Sequence, residues 1–145
     1  MVKYVCGSMF DGQFNLLVNP VNCIGVMGKG LALQFKNKYP EYFAHYKKVC
    51  DAGLLQPGKL MVTRINEHTG ILSFPTKLDW RNPSQIEYIV AGLEKFTAYA
   101  KAHPEIVKVA WPKLGCGYGN LDWNTVRPIM YRYLEPLSVT SYVFI

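Results

Sequence analysis

Three stretches of this 145-residue sequence carry residue types that can do chemistry. The first is GVMGKGLALQF, Gly25–Phe35, a glycine-rich turn with a lysine that runs into an apolar segment. Glycines let a backbone approach a ligand closely and turn its N–H groups toward an anion at a helix start. Neither familiar nucleotide signature fits. A Walker loop needs four residues between its first glycine and a G-K-[ST], but Gly28-Lys29 precedes Gly30, and Cys23 stands where the first glycine belongs. A dinucleotide fingerprint needs a third glycine three residues after Gly30, where the sequence has Leu33. What survives is an anion cradle of another kind around Gly28, Lys29, Gly30 and Leu31.

The second stretch is Gly115-Cys116-Gly117-Tyr118-Gly119-Asn120, with glycines at alternate positions. One such loop is weak evidence, because tight turns use glycine for conformational reasons alone. Two of them, each leaving an expected strand, suit a clamp on one elongated anion such as a diphosphate; two structural turns are the alternative. The third stretch is FPTKLDW, Phe74–Trp80. Lys77 lies there among aromatic residues and a proline at an expected strand end. Partial desolvation would lower its pKa and free the amine as a nucleophile, whereas a solvated loop lysine would do neither. Asp79 and Asp122 are the nearest carboxylates by motif, and either could be an ordinary loop or helix-cap residue.

Composition narrows the classes. Half the residues are hydrophobic and 18% are charged, which excludes disorder and allows one domain, 1–145, with a real core. No apolar run approaches the roughly 18 residues of a membrane span. The N-terminal MVKYVCGSMF lacks the pattern of a secretory signal, so a cytoplasmic location is expected. Cys6, Cys23, Cys50 and Cys116 and the three histidines offer no zinc spacing, so neither metal nor cofactor is expected, and the thiols read as reduced. The net charge of +6 favours an anionic partner without requiring one.

The elements that must position these loops alternate along the chain. Strands are expected at Val2–Cys6, Leu16–Asn19, Lys59–Ile65, Gly70–Phe74, Val107–Trp111 and Val139–Ile145. Helices are expected from Leu31 to Pro40, over Glu41–Cys50, and over Trp123–Leu134. Another should open at Asn82-Pro83-Ser84-Gln85, with Asn82 as its N-cap, and carry Ile86, Ile89, Val90, Leu93, Phe96 and Ala100 on one face. Such alternation predicts a layered α/β domain with ligands beyond the carboxyl ends of the strands.

Taken together in order, LVNPVNCIGVMGKGLALQFKNKYPEYFAHY, FPTKLDWR and PKLGCGYGNLDW resemble the macrodomain family, and within it the DNA ADP-ribosyl glycohydrolase branch. The resemblance runs over nearly the whole chain. It implies a three-layer α/β/α sandwich around a mixed sheet of about six strands, and ADP-ribose as the ligand. It implies that Asn22 lies at the distal ribose, that Gly28–Leu31 and Gly115–Gly119 hold the diphosphate, and that Tyr118 packs near the distal ribose. Lys77 matches the lysine on which this branch depends. The implied activity is removal of ADP-ribose from thymidine in DNA, single-stranded or unstacked, through a lysine adduct that water resolves. ADP-ribosyl esters on protein, ADP-ribose 1″-phosphate, or binding without cleavage are the other readings.

Two positions depart from the family pattern. Many macrodomains carry an aspartate for adenine in a G-D-[IL] sequence, where this chain has Gly7-Ser8-Met9, so Ser8, Met9 and their backbone are left to touch the base. Ester-cleaving relatives carry an aspartate at the position of Gly119; here the acid comes later, as Asp122. Antitoxins of this branch often have a further C-terminal region that binds the toxin. These residues give that interaction no visible support, and a monomer is expected.

Overall fold

The computed structural model describes residues 1–145, and its architecture grows outward from one strand. That strand is β2, Leu16–Val21; β1, Val2–Val5, precedes it. On one side β2 pairs in parallel along its whole length with β4, Gly70–Pro75, beyond which β3, Met61–Arg64, closes the edge in the antiparallel sense. On the other side it pairs with β5, Lys108–Trp111, followed by β6, Thr140–Phe144, and then β1. The result is a mixed six-stranded sheet in the order β1-β6-β5-β2-β4-β3.

Alternation along each strand divides the core in two. Successive side chains on a strand point to opposite faces. Leu16 and Val18 of β2, Leu72 and Phe74 of β4, and Val109 and Trp111 of β5 join one cluster with α3, Ile86–Ala102, and α4, Trp123–Leu134. Leu17, Val21, Ile71 and Ala110 join the other with α1, Gly30–Lys38, and α2, Pro40–Asp51. This is the expected three-layer sandwich. On the second face a polar thread runs through the core: Asn19 Nδ2 donates to Tyr42 Oη at 3.1 Å, which lies 2.6 Å from Ser73 Oγ. Burial pushes the Tyr42 phenol up to about 12, so it stays a neutral hydroxyl that ties α2 to β2 and β4.

The expected helix start at Asn82 is corrected. α3 begins at Ile86 behind Gln85, without a capping side chain, and residues 82–85 form a loop. The local capping signal loses to a tertiary bond, because the Ser84 N–H donates to the Gly119 carbonyl at 3.0 Å. A short 3-10 turn at Met9–Asp11 adds an element that periodicity did not show.

The ring of Phe74, edge-on to Trp111, presses on Gly92 in the middle of α3, where an added methyl would collide with it. Gly92→Ala should therefore lower stability by about 1–3 kcal/mol through overpacking. The usual gain from alanine in a helix, about 1 kcal/mol, would not rescue it. A lower urea midpoint is the expected result; an unchanged or raised one would contradict the packing described.

Candidate anion-binding cleft

The cleft opens where β2 and β5 part. β2 stays paired with β4 to its last residue, but meets β5 only at Leu16 and Leu17. Chains leaving the carboxyl ends of β2, β4 and β5 therefore surround one crevice, the usual ligand position in such sheets. Its volume is about 580 Å³, within the range of small-molecule sites. Lys29, Lys77 and Lys113 line it, and no carboxylate does. A second, more open hollow of about 640 Å³, lined by Leu54, Leu60, Met61 and Tyr99 among others, holds none of the residues singled out in the sequence.

Asn22 builds the first wall. Its Oδ1 accepts from the N–H groups of Ile24 (3.1 Å) and Val26 (3.3 Å), and its Nδ2 donates to the Val26 carbonyl at 2.7 Å. Tyr46 of α2 reaches underneath, its hydroxyl donating to the Asn22 carbonyl at 2.8 Å and to Oδ1 at 3.0 Å. Burial drives the Tyr46 pKa far upward, so the bond persists at any pH the fold tolerates. The loop then enters α1 at Gly30, whose φ of +59° favours glycine, and a Cβ there would press on the Tyr118 ring. Lys29, the N-cap, supplies no capping side chain. The first-turn amides of Gly30, Leu31 and Ala32, all cleft residues, lack a side-chain cap, an arrangement suited to an anion.

The second wall is the loop after β5. Gly115, Gly117, Tyr118 and Gly119 line the cleft. At Gly119 a side chain has no room, since its Cβ would strike Ser84 Oγ and the Gly115 carbonyl. Ser84 Oγ is itself buried and without a partner, the one such hydroxyl on the cleft wall. Lys77 ties the loop after β4 to the second wall. Its ammonium donates to the carbonyls of Tyr118 (3.1 Å) and Trp80 (3.4 Å), and desolvation lowers its pKa below the usual lysine value.

Of the residues singled out in the sequence, Asn22, Gly28, Lys29, Gly30, Leu31, Lys77, Gly115, Gly117, Tyr118 and Gly119 meet at this cleft. Ser8, Met9, Cys116 and the two carboxylates Asp79 and Asp122 do not line it. Met9 is buried in the core, Ser8 accepts from the Phe10 N–H as the cap of the 3-10 turn, and Cys116 turns its thiol to the Leu114 carbonyl at 3.3 Å. Burial raises the Cys116 pKa, which makes a poor nucleophile. Asp122 caps α4 by accepting from the Asn124 N–H. Sequence reasoning passed over Val26, Ala32, Thr76, Ser84, Lys113 and Phe144, which also line the cleft. Thr76 and Lys113 stand within the quoted motifs, but Phe144 lies on a distant strand with no local signal.

A sheet of this topology, with two glycine loops facing each other across its carboxyl edge, defines a macrodomain. The chain belongs to the Macro domain family, whose profile matches residues 18–130. It is similar to the macrodomain of Mycobacterium tuberculosis DarG, with 39% identity, 99% of this chain and 97% of that one covered, and a TM-score of 0.94. It is also similar to Thermosipho africanus DarTG in complex with ADP-ribose, at 34% identity and a TM-score of 0.91 over 99% of this chain and 41% of that one. Among curated proteins, the DNA ADP-ribosyl glycohydrolase of M. tuberculosis is 45% identical over 140 residues, 94% of this chain. The chain spans about 40% of the length of that relative.

Because Tyr46 supplies the one hydroxyl beneath Asn22, Tyr46→Phe should cost about 1–2 kcal/mol and loosen the first wall. Amide hydrogen exchange at Ile24 and Val26 should accelerate, while amides in β4 keep their protection. Equal acceleration throughout would mean only a global loss of stability.

Proposed function

We propose that this chain is an ADP-ribosyl hydrolase that removes ADP-ribose from a thymidine base in DNA, with Lys77 as nucleophile. The observation that carries the reading is the position of that amine: partly buried, with a lowered pKa, tied from the loop after β4 to the Tyr118 carbonyl of the second wall, at the lining of a carboxylate-free cleft. The names of its relatives support it, since one is a DNA ADP-ribosyl glycohydrolase and another was solved with ADP-ribose. In this reading the amides of Gly28–Leu31 and Gly115–Gly119 take the diphosphate. The second hydrogen of Asn22 Nδ2 and the Tyr118 ring take the distal ribose, and the backbone around Ser8 and Met9 is left for adenine.

The neutral Lys77 amine attacks the anomeric carbon, forming a C–N bond as the bond to the base breaks. The electron pair of that bond stays on the base nitrogen, which takes a proton. Water then adds to the anomeric carbon, releases ADP-ribose and restores the lysine. A base in single-stranded or unstacked DNA can reach such a pocket without a large unpairing cost. Cleavage of protein esters is the less favoured reading: it resembles a branch that uses an aspartate at position 119, where the packing leaves no space for a side chain.

Lys77→Ala should cut release of ADP-ribose from a modified thymidine oligonucleotide by about a hundredfold or more, while free ADP-ribose still binds. Calorimetry and single-turnover assays separate the two effects, and unchanged turnover would overturn the assignment. Burial disfavours the charged amine, so Lys77 sheds its proton at a lower pH than a free lysine. The single-turnover rate should rise with pH and level off below about pH 10, the ordinary lysine range. Lys77→Arg, charged throughout, should show no such rise because it should not turn over. A wild-type rate independent of pH over that range would count against a lysine nucleophile.

A further inference from the structure

Two exposed aromatic rings flank Lys77, and the reading above employs only Tyr118. The other is Trp80, 49% exposed at the cleft mouth, with its carbonyl held by the Lys77 ammonium. Its surroundings are ordered by ion pairing. The Arg81 guanidinium lies 5.5 Å from the Trp80 ring centroid, within cation–π range. Asp79 grips that guanidinium through two bonds, Nε to Oδ1 at 2.9 Å and Nη2 to Oδ2 at 2.7 Å, and also accepts from the Arg81 N–H. The Arg81 hydrogen bonds hold the Asp79 pKa down at about 2, so the clasp survives throughout the neutral range. Nη1 of Arg81 is left with no protein acceptor.

A fixed indole beside a fixed donor fork, at the mouth of a lysine-lined cleft, is suited to single-stranded nucleic acid. Rings stack on bases regardless of sequence, and cations follow the phosphates. We propose that Trp80 and Arg81 dock the nucleotide adjoining the modified one in single-stranded DNA. Trp80 stacks on its base, and Arg81 Nη1 takes its phosphate. This rests on the DNA substrate proposed above. It makes the rim a determinant of oligonucleotide recognition, separate from the loops that face ADP-ribose.

The test uses the whole chain as wild type, Trp80→Ala and Trp80→Phe, with a fluorescein-labelled, unmodified single strand of roughly ten nucleotides. Fluorescence anisotropy gives affinity for the strand, and calorimetry gives affinity for free ADP-ribose. Trp80→Ala should lose roughly tenfold more affinity for the strand than for ADP-ribose, and Trp80→Phe should recover most of the difference. Equal losses for both ligands, or no loss for the strand, would overturn the platform. ADP-ribose release from a modified strand by the wild type is scored separately. If the wild type binds the strand through Trp80 but releases nothing, the platform stands and the proposed activity fails. If release proceeds normally in Trp80→Ala with undiminished strand affinity, the activity stands and the platform fails.

Discussion

The cleft depends on one almost wholly buried side chain, that of Asn22. Asn22 spends its carbonyl and one amide hydrogen on the loop that follows β2, and Tyr46 pins it from below. A loop such as residues 22–29, with no regular structure, must otherwise satisfy its backbone groups with water, and its shape would fluctuate. Here the buried amide replaces water and holds the loop in the one curve that delivers Gly30 to the start of α1. The polar thread Asn19–Tyr42–Ser73 anchors α2 to the sheet in the same way, one helical turn earlier. α2 therefore acts as a strut. Tyr42 fastens it to β2 and β4, and Tyr46 transmits that position to the loop that lines the cleft.

Much of this was legible in the sequence, because much of it follows from local pattern. The strands at Leu16, Gly70 and Val107 announce themselves as short apolar runs bounded by turn residues, and the stripe from Ile86 to Ala100 has helical spacing. Failures arose where a distant partner outbid a local signal. Asn82-Pro83-Ser84-Gln85 has the chemistry of a helix start, but Ser84 is recruited by the Gly119 carbonyl and the helix waits until Ile86. The resemblance leaves Met9 beside the base, yet core packing claims its side chain. Phe144 reaches the cleft only because β6 lies beside β5, a pairing that no local pattern encodes.

The two walls are unequal in construction. The first is held by side-chain hydrogen bonds from Asn22 and Tyr46. The second is held by close backbone packing around Gly119 and by the bond from the Ser84 N–H to its carbonyl. Substitution should therefore soften the first wall gradually and disrupt the second abruptly, since a hydrogen bond is worth about 1 kcal/mol while an added side chain at a closed contact forces backbone to move. The same packing bears on how such clefts can diverge. Acidic chemistry cannot be placed at position 119 by a single replacement, because the space belongs to Ser84.

Lys77 holds Trp80 and Tyr118 by their carbonyls only as strongly as its charge allows. An ammonium makes charge-assisted bonds, whereas a neutral amine makes weaker ones and turns a lone pair outward. Under the proposed mechanism, the proton loss that arms the amine also weakens its bonds to the Trp80 and Tyr118 carbonyls. In that reading, reactivity and the tie between the β4 and β5 loops depend on the same proton.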